Sequence, residues 1–419
     1  MTDMREAPEG RKSPERMHAL DAVRGFALLL GVVFHASLSF VPSQHPIWAI
    51  QDSHPSATLG VVFFASHVFR MTTFFLIAGF FGHMVFHRRG AKAFIGDRLK
   101  RIALPMVVAW PFLFAAITAA EIWGVVAAHG GHPPSGPAPT WPTFPNFPLT
   151  HLWFLWVLLQ FYAATLIGRG LIALIDRRGT LRGGVDRLVA RLMRSGLAPL
   201  VLAAPVALVF ATTPRWLMWF GIFTPDYSFV TNLETWAGYG AAFGFGWLLN
   251  RQVDLLDTLR RRWVLNLVLA VAATGAAYMI ATPTMLGTPE GVWHGVGAVI
   301  YPLASWTATF AAVGLALRFL SGFSPARRYI ADASYWIYLV HMPVVMVLQV
   351  LLAPLDWAWP IKFAVLLGVG FAVMFASYQL LVRHSFIGAT LNGARPRRVP
   401  RLQTHPASST PMASLSEQP

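Results

Sequence analysis

The sequence predicts an all-α fold, a polytopic transmembrane bundle of about ten spanning helices. The first reason is composition, since 55% of the 419 residues are hydrophobic and only 12% are charged. Soluble domains carry about 25% charged residues. So few charges cannot cover a water-exposed surface of this size, so a lipid bilayer must cover much of it.

The second reason is a series of ten apolar runs, each close to the roughly 20 residues that a spanning helix needs. Two of them contain a charged residue, Arg24 in the first and Arg70 in the second. The runs cover residues 17–41, 58–86, 102–126, 151–167, 197–213, 229–250, 263–281, 296–317, 329–352 and 363–381.

The third reason is the distribution of Lys and Arg between the runs. The N-terminal tail has four, the second, fourth, sixth and eighth connections have six, seven, four and three, and the C-terminal tail has five. The five other connections hold only Arg215 and Lys362. Basic residues stay in the cytoplasm during insertion, so both termini are expected there. The net charge of +15 is then a topology signal, and nucleic acid is not an expected partner.

The membrane domain is expected over residues 17–385. Residues 1–16 are predicted to form a disordered cytoplasmic tail, and residues 386–419 a tail that is first basic and then disordered. Segments of this polar composition bury too little apolar surface to fold. The loop over residues 129–150, rich in Pro and Gly, is expected to cap the outer face. The absence of cysteine excludes disulfides, thiolate metal ligands and a thiol nucleophile.

Charged groups at bilayer depth are candidates for function, because each costs about 2.5–3.5 kcal/mol on insertion scales. The first run carries Asp21, Arg24 and His35. Asp21 and Arg24 are three residues apart and can pair. Arg24 and His35 are eleven apart, close to three helical turns, so they share a face about 16 Å apart along the axis. Arg24 as an interfacial topology anchor, and His35 as a structural histidine, are the alternatives.

The second run carries His67 and Arg70, again three residues apart. Arg70 is too deep for its side chain to reach either interface, so it must face a partner or a cavity. Functional and structural roles are equally open for His67.

Arg98, Lys100 and Arg101 lie at the predicted cytoplasmic start of the third run. Arginine forks match phosphate oxygens, so this cluster is a candidate phosphate site. An ordinary positive-inside cluster is the alternative.

Five further residues complete the candidate set. His151 and Trp153 begin the fourth run, where an aromatic anchor is the alternative interpretation, and Glu234 opens the sixth, where a solvated helix start is the alternative. Tyr338 and His341 lie in the ninth run, where a hydrogen bond to a neighbouring helix would equally explain the histidine. No P-loop, zinc signature or nucleophile elbow is present.

These residues belong to motifs that resemble membrane acyltransferase family 3. The resemblance lies in Leu20-Asp21-Ala-Val-Arg24-Gly25 with His35 eleven residues after Arg24, in Arg98-x-x-Arg101-Ile-x-x-Pro105, and in Tyr338-x-x-His341. More narrowly, the segments around His67 to Arg70, His151 to Phe154 and Ile337 to His341 resemble the branch associated with succinylating osmoregulated periplasmic glucans.

The resemblance implies an O-acyltransferase of the cytoplasmic (inner) membrane. It would move an acyl group, succinyl or acetyl, from cytoplasmic acyl-CoA to a hydroxyl of a periplasmic or cell-surface glucan. Acyl-CoA would be the donor substrate, with no bound cofactor and no metal. The residues are compatible with direct transfer and with an acyl-enzyme intermediate.

The resemblance also suggests roles. His35 would take the proton of the sugar hydroxyl, since a neutral imidazole suits general-base work. Arg24 and Arg70 would orient the donor or stabilise the oxyanion, with Asp21 paired to Arg24. Phosphates of CoA would meet Arg98, Lys100 and Arg101. The residues expected to contact substrate are His67, His151, Trp153, Glu234, Tyr338 and His341.

A transporter or flippase of a glycan or glycolipid is the alternative function, because it too would need buried Arg and His in a cavity. Internal repeats and broken helix pairs would favour it, and neither is evident in the sequence. A scaffold role leaves the buried charges unexplained.

Overall fold

A computed structural model describes residues 9–42, 48–133, 140–284 and 287–393. Within these ranges the chain is helical, and its sole β-bridge joins Asn146 to Ser228. The predicted all-α class is confirmed. The helices are α1 (Glu9–Ser37), α2 (Ala57–Arg98), α3 (Leu104–Ala128), α4 (Trp153–Ile175), α5 (Thr180–Ser195), α6 (Ala198–Thr212), α7 (Leu233–Thr235), α8 (Ala241–Leu249), α9 (Leu256–Arg261), α10 (Trp263–Ala281), α11 (Val292–Phe319), α12 (Pro325–Leu352), α13 (Trp359–Ser377) and α14 (Phe386–Asn392).

Each predicted span coincides with one of these helices or with a continuous helical run. Seven described segments are long and apolar enough to cross a bilayer, and one of them, Ala57–Ala128, contains both the second and the third predicted span. α6 is shorter than the others and forms a pair with α5 that is bent by 109°. A multi-pass helical bundle is therefore confirmed, whereas the count of ten and the sidedness stay predictions.

π-Helical turns replace loops at two places in the bundle. Leu99–Ala103 joins α2 directly to α3, and Trp236–Gly240 joins α7 to α8. α2 instead bends at Gly90, whose φ of 76° lies in the left-handed region that glycine adopts readily. The basic segment after Gly90 thus leaves the direction of the span before the chain enters α3.

The centre of the bundle is α1, which packs against α2, α11 and α12. α2 and α8 cross so closely that a Cβ on Gly79 would lie 2.0 Å from the Phe243 carbonyl oxygen, and one on Gly246 1.9 Å from that of Leu76. Small residues of this kind let helix backbones approach in membranes. These contacts fix α2 next to α1 and thereby position the charged residues of both helices.

The predicted tails differ from the structure where it describes them. α1 begins at Glu9, inside the segment expected to be disordered, and Arg16 in its second turn pairs with Asp254 and Asp257, each at 2.9 Å. α14 occupies the start of the C-terminal tail, where the Asn392 side chain donates a hydrogen bond to the Asp332 carbonyl. Residues 1–8 and 394–419 lie outside the described residues.

Two connections that are predicted to lie on the outer side make backbone hydrogen bonds to other parts of the chain. Residues 38–56 join α1 to α2, and the backbone N–H of Asp52 donates to the Ser39 carbonyl. The loop predicted to cap the outer face lies partly outside the described residues, at 134–139. Its described end pairs with the segment before α7, since the N–H of Phe147 donates to Tyr227 and that of Thr150 to Asp226. That pairing fixes the entry to α4.

Candidate active site

A small cavity of about 50 Å³ lies where α1, α2, α4 and α12 meet. Its polar lining comes from four different elements: His35 near the end of α1, Arg70 in the middle of α2, His151 in the 3-10 turn before α4, and Tyr338 and His341 on α12. All five were candidates from the sequence, and Trp153 lines the same cavity. Residues far apart in the chain thus converge at one buried point.

His35 lies at the rim of this cavity, two residues before α1 ends. Its ring centroid is 5.1 Å from that of His341 and 6.1 Å from that of Trp48. Its Nδ1 is buried and has no hydrogen-bond partner among the residues described. Its backbone carbonyl instead accepts from Gln349, whose own oxygen accepts from Trp48. The backbone is therefore held while the imidazole stays free to exchange a proton.

His341 has a tautomer that its hydrogen bond defines. Its Nδ1 lies 2.6 Å from the Tyr338 carbonyl oxygen, which can only accept, so Nδ1 carries the proton. In the neutral ring, Nε2 then holds a lone pair, and this buried nitrogen has no partner in the described part of the chain. His341 accordingly offers a proton acceptor inside the cavity.

His151 is bonded through the other ring nitrogen. Its Nε2 donates to the Leu339 carbonyl at 3.0 Å, and its own carbonyl accepts from the Tyr338 hydroxyl at 2.8 Å. These two bonds join the start of α4 to α12. The rings of His151 and His341 lie 5.2 Å apart, so this contact also fixes the wall of the cavity.

Arg70 brings a buried positive charge to the same cavity. Arg70 is only 7% exposed, and its guanidinium lies 4.3 Å from the centre of the Phe34 ring. Gly31 leaves room for it, since a Cβ there would lie 3.2 Å from Nη1. No described carboxylate lies within ion-pair distance of Arg70. A buried cation without a counter-ion is suited to stabilise a negative charge that develops during a reaction.

His67 lies next to the cavity without lining it. Its ring stacks on Phe34, with centroids 5.0 Å apart, and its Nε2 donates to the Phe220 carbonyl at 2.7 Å. Glu234 lies in α7 beside the Asn232 cap, outside the cavity. The structure therefore does not bring Glu234 to the other candidate residues.

Asp21 and Arg24 also lie outside the cavity lining. They form an ion pair at 3.1 Å, and Asp21 is 3.8 Å from Arg328. Arg24 precedes Leu28 by four residues, and Leu28 lines the cavity together with His35. The expected shared face of α1 is thus present, with Arg24 one turn below the cavity and not in it.

The predicted phosphate cluster contains a carboxylate that sequence reasoning overlooked. Asp97 lies 3.0 Å from Arg101, 3.5 Å from Arg98 and 3.3 Å from Arg89. Lys100 is exposed. Part of the positive charge is therefore neutralised within the junction of α2 and α3. The adjacency of Asp97 to Arg98 was the signal that could have revealed this.

Other contributors were missed as well. Trp48 and Gln349 hold the end of α1 in place. Lys362, whose side chain is fully buried, lies 2.9 Å from Asp52 in the connection between α1 and α2. A lone lysine between two apolar runs was the available signal, although its partner could not be identified without the fold. In the part of the chain that the structure describes, no group of His, Asp and Glu is arranged to hold a metal ion.

Comparisons with known proteins identify the family of this chain. The family model described as an acyltransferase domain, acyltransferase 3, matches residues 17–379. Glucans biosynthesis protein C from Escherichia coli (strain SMS-3-5 / SECEC) is 38% identical over 99 residues, and that from Escherichia coli O1:K1 / APEC is 37% identical over 99. The match spans about a quarter of the length of these relatives and 24% of this chain. No solved structure matches. Because the family model covers most of the chain, the protein belongs to membrane acyltransferase family 3 and is an acyltransferase.

Proposed function

We propose that this chain is an O-acyltransferase that moves an acyl group, succinyl or acetyl, from acyl-CoA to a hydroxyl of a glucan on the far side of the inner membrane. The observation that carries the proposal is the juxtaposition of an unpaired buried Arg70 with His35 and His341 in one cavity. A membrane-embedded acyltransferase needs a proton acceptor and an oxyanion stabiliser at one point, and these residues supply both.

In the proposed reaction, the sugar hydroxyl gives its proton to an imidazole nitrogen, and its oxygen attacks the thioester carbonyl carbon. Arg70 stabilises the oxyanion of the tetrahedral intermediate. The carbon–sulfur bond then breaks, and the proton passes from the imidazolium to the sulfur of the leaving CoA. His35, near the end of α1, is the proposed base.

The size of the cavity limits what enters it. One water molecule needs about 10–15 Å³ of such a cavity volume, so 50 Å³ accommodates a few reacting atoms and not a sugar ring or a nucleotide. Donor and acceptor would therefore reach the cavity from opposite ends. The donor end is proposed to be that of Arg24 and Arg98, and the acceptor end that of Trp48.

Two relatives support the acceptor. Their name, glucans biosynthesis protein C, associates them with glucans, and the matched quarter of their length motivates the same acceptor class here. The family match favours an enzyme over the transporter alternative.

The test is incubation of membranes with radiolabelled acetyl-CoA and succinyl-CoA, followed by fractionation of periplasmic glycans. We expect label in a glycan fraction with the unaltered protein. Arg70→Met should lower that incorporation by about 10²–10³-fold, the usual cost of removing an oxyanion donor. Arg215→Gln, an exposed arginine of another outer connection, is the control and should retain it. Label that never enters carbohydrate from either donor would contradict the proposal.

A further inference from the structure

A second cavity lies between α2, α4, α5 and α8, away from the histidine site. Its volume is about 440 Å³, within the roughly 300–1,000 Å³ typical of small-molecule sites. Three arginines line it, Arg169, Arg182 and Arg251, together with His83 and His87. No acidic side chain is among the lining residues that the structure describes. The cavity is therefore suited to an anion.

The three arginines differ in how much of their charge is free. Arg182 lies 3.0 Å from Asp176, and Arg251 lies 2.6 Å from Asp186. Arg169 has no carboxylate within 4.0 Å among the described residues. The free positive charge of the cavity is thus that of Arg169.

Arg169 is also held in place by an aromatic ring. Its guanidinium lies 4.5 Å from the centre of the Phe86 ring, within the range of a cation–π contact. The side chain is exposed despite this contact. An anion can therefore reach it without breaking an ion pair.

The remaining wall of the cavity is largely apolar and borders an exposed apolar surface. Ile172 and Leu181 line it and are 40% and 54% exposed, and the next turn of α4 exposes Leu174 and Ile175 at 69% and 81%. A soluble anion would gain nothing from this wall. A ligand with an anionic head and a hydrocarbon tail would be complementary to both parts.

We propose that this cavity binds an anionic phospholipid, with its phosphate at Arg169 and one acyl chain along Ile172 and Leu181. Arginine forms charge-assisted hydrogen bonds with phosphate oxygens, and basic cavities between membrane helices bind anionic headgroups. The site lies beside the fourth and sixth connections, which the charge pattern predicts to be cytoplasmic. It is independent of the acyl-transfer proposal.

Two glycines on α4 provide a matched pair of variants. Gly168 lines the cavity and Gly170 does not, and a Cβ on either would meet no atom within 4 Å. Gly168→Leu would fill the cavity without removing a charge. Gly170→Leu makes the same change of residue on the same helix outside it. In a second pair, Arg169→Gln is the test variant and Arg187→Gln is its control. Arg187 is an exposed arginine that does not line the cavity.

The experiment is native mass spectrometry of the purified full chain in detergent, titrated with phosphatidylglycerol or phosphatidylcholine. Phosphatidylglycerol should bind more tightly. Arg169→Gln should weaken its binding by about tenfold or more, the effect of one lost charge-assisted contact. Gly168→Leu should weaken its binding to a similar extent, because the new side chain would fill the cavity. The control variants should bind like the unaltered protein.

Equal affinity for the two lipids, or unchanged binding in both Gly168→Leu and Arg169→Gln, would overturn the proposal. A third arm adds 3′,5′-ADP, which carries the phosphates of CoA without an acyl chain. If it displaces the lipid and its own binding requires Arg169, the occupant is a nucleotide and the lipid assignment is wrong. Loss of acyl transfer in any of these variants is not a readout, so failure of the proposed enzyme function leaves this test intact.

Discussion

His35 and His341 both meet the requirements of a general base, and their hydrogen bonds distinguish them. The Tyr338 carbonyl fixes the proton of His341 on Nδ1, whereas no described residue bonds either ring nitrogen of His35. A base must take and release a proton in each cycle. The free ring of His35 suits that exchange, and the neutral ring of His341, 5.1 Å away, would stabilise the imidazolium that forms.

We therefore expect His35→Ala to lower acyl transfer at least about a hundredfold, within the usual 10²–10⁴-fold contribution of a general base. His35→Gln keeps a hydrogen-bonding group but cannot take a proton near neutral pH, so its rate of acyl transfer should fall as far. The measurement is turnover with labelled acyl-CoA in membranes with equal amounts of inserted protein.

Heat stability in the presence of CoA is the control for that experiment, because donor binding should survive the loss of the base. A His35→Gln protein that keeps more than about a tenth of the normal rate would identify His35 as a structural histidine. His341, whose Nε2 lone pair faces the same cavity, would then be the next residue to test.

For single residues, the sequence predicted a functional role correctly only where the evidence lay within one helix. Helical spacing and the cost of burial predicted His35 and Arg70 as functional candidates, and both line the cavity. The role of Gln349 could not be predicted, since its partners are the His35 carbonyl and Trp48, more than 300 residues away. Arg24 shares the face of His35 as predicted, but one turn separates it from the cavity.

The connection between α1 and α2 is held by a buried ion pair. Lys362 on α13 donates to both oxygens of Asp52 and to Ser53, and the two charged side chains are 0% and 2% exposed. The same connection carries Trp48, which lies over His35. The pair therefore links α13 to the rim of the candidate active site.

Removing one partner leaves the other charge buried alone, at a cost of about 3–5 kcal/mol. Asp52→Asn and Lys362→Met should therefore each lower the melting temperature and the transfer rate. The double variant should recover most of both, because it buries no charge. Thermal unfolding of the purified protein measures the first effect and labelled transfer the second. If the losses of the two single variants add in the double variant, the pair does not have this role.

The junction of α2 and α3 gives opposite expectations for two neighbouring residues. If the cluster binds CoA phosphates, Arg101→Ala should raise the donor KM several-fold more than the acceptor KM, since one charge-assisted contact is worth about 1.5–3 kcal/mol at most. Asp97→Asn should lower the donor KM, because Asp97 competes with phosphate for Arg98 and Arg101. Steady-state kinetics with varied acyl-CoA measures both.

Lys100→Gln is the control for that pair of variants. Because Lys100 is exposed, it should contribute less to donor binding, and its loss should change the donor KM less. An unchanged donor KM in both Arg101→Ala and Asp97→Asn would show that the cluster serves only to set the membrane topology.

Hydropathy predicted the helices of the molecule better than the junctions between them. Every apolar run is mostly helical in the structure, because a backbone in hydrocarbon must satisfy its own hydrogen bonds. The sixth run differs at its start, where helix begins only at Leu233. The bend at Gly90 and the π-helical turn Leu99–Ala103 arise from local backbone geometry that hydropathy does not encode. α5 is an Arg-rich helix between the fourth and fifth runs, where hydropathy predicts only a connection because the segment is too polar to span.

The sidedness of the bundle is the remaining prediction, and it follows from the positions of 29 of the 33 basic residues. Reporter fusions after Arg98, Arg187 and Arg260 should report the cytoplasm, and fusions near Ser135 and Glu290 the periplasm. An alkaline phosphatase reporter, active only outside, and a fluorescent protein, active only inside, give each position two opposite readings. Positive residues resist translocation, so the five positions together require an odd number of spans between neighbouring fusions on opposite sides and an even number between Arg187 and Arg260. A single fusion on the opposite side would break the ten-span topology, and a periplasmic fusion after Arg98 would also place the proposed CoA-binding cluster on the wrong face of the membrane.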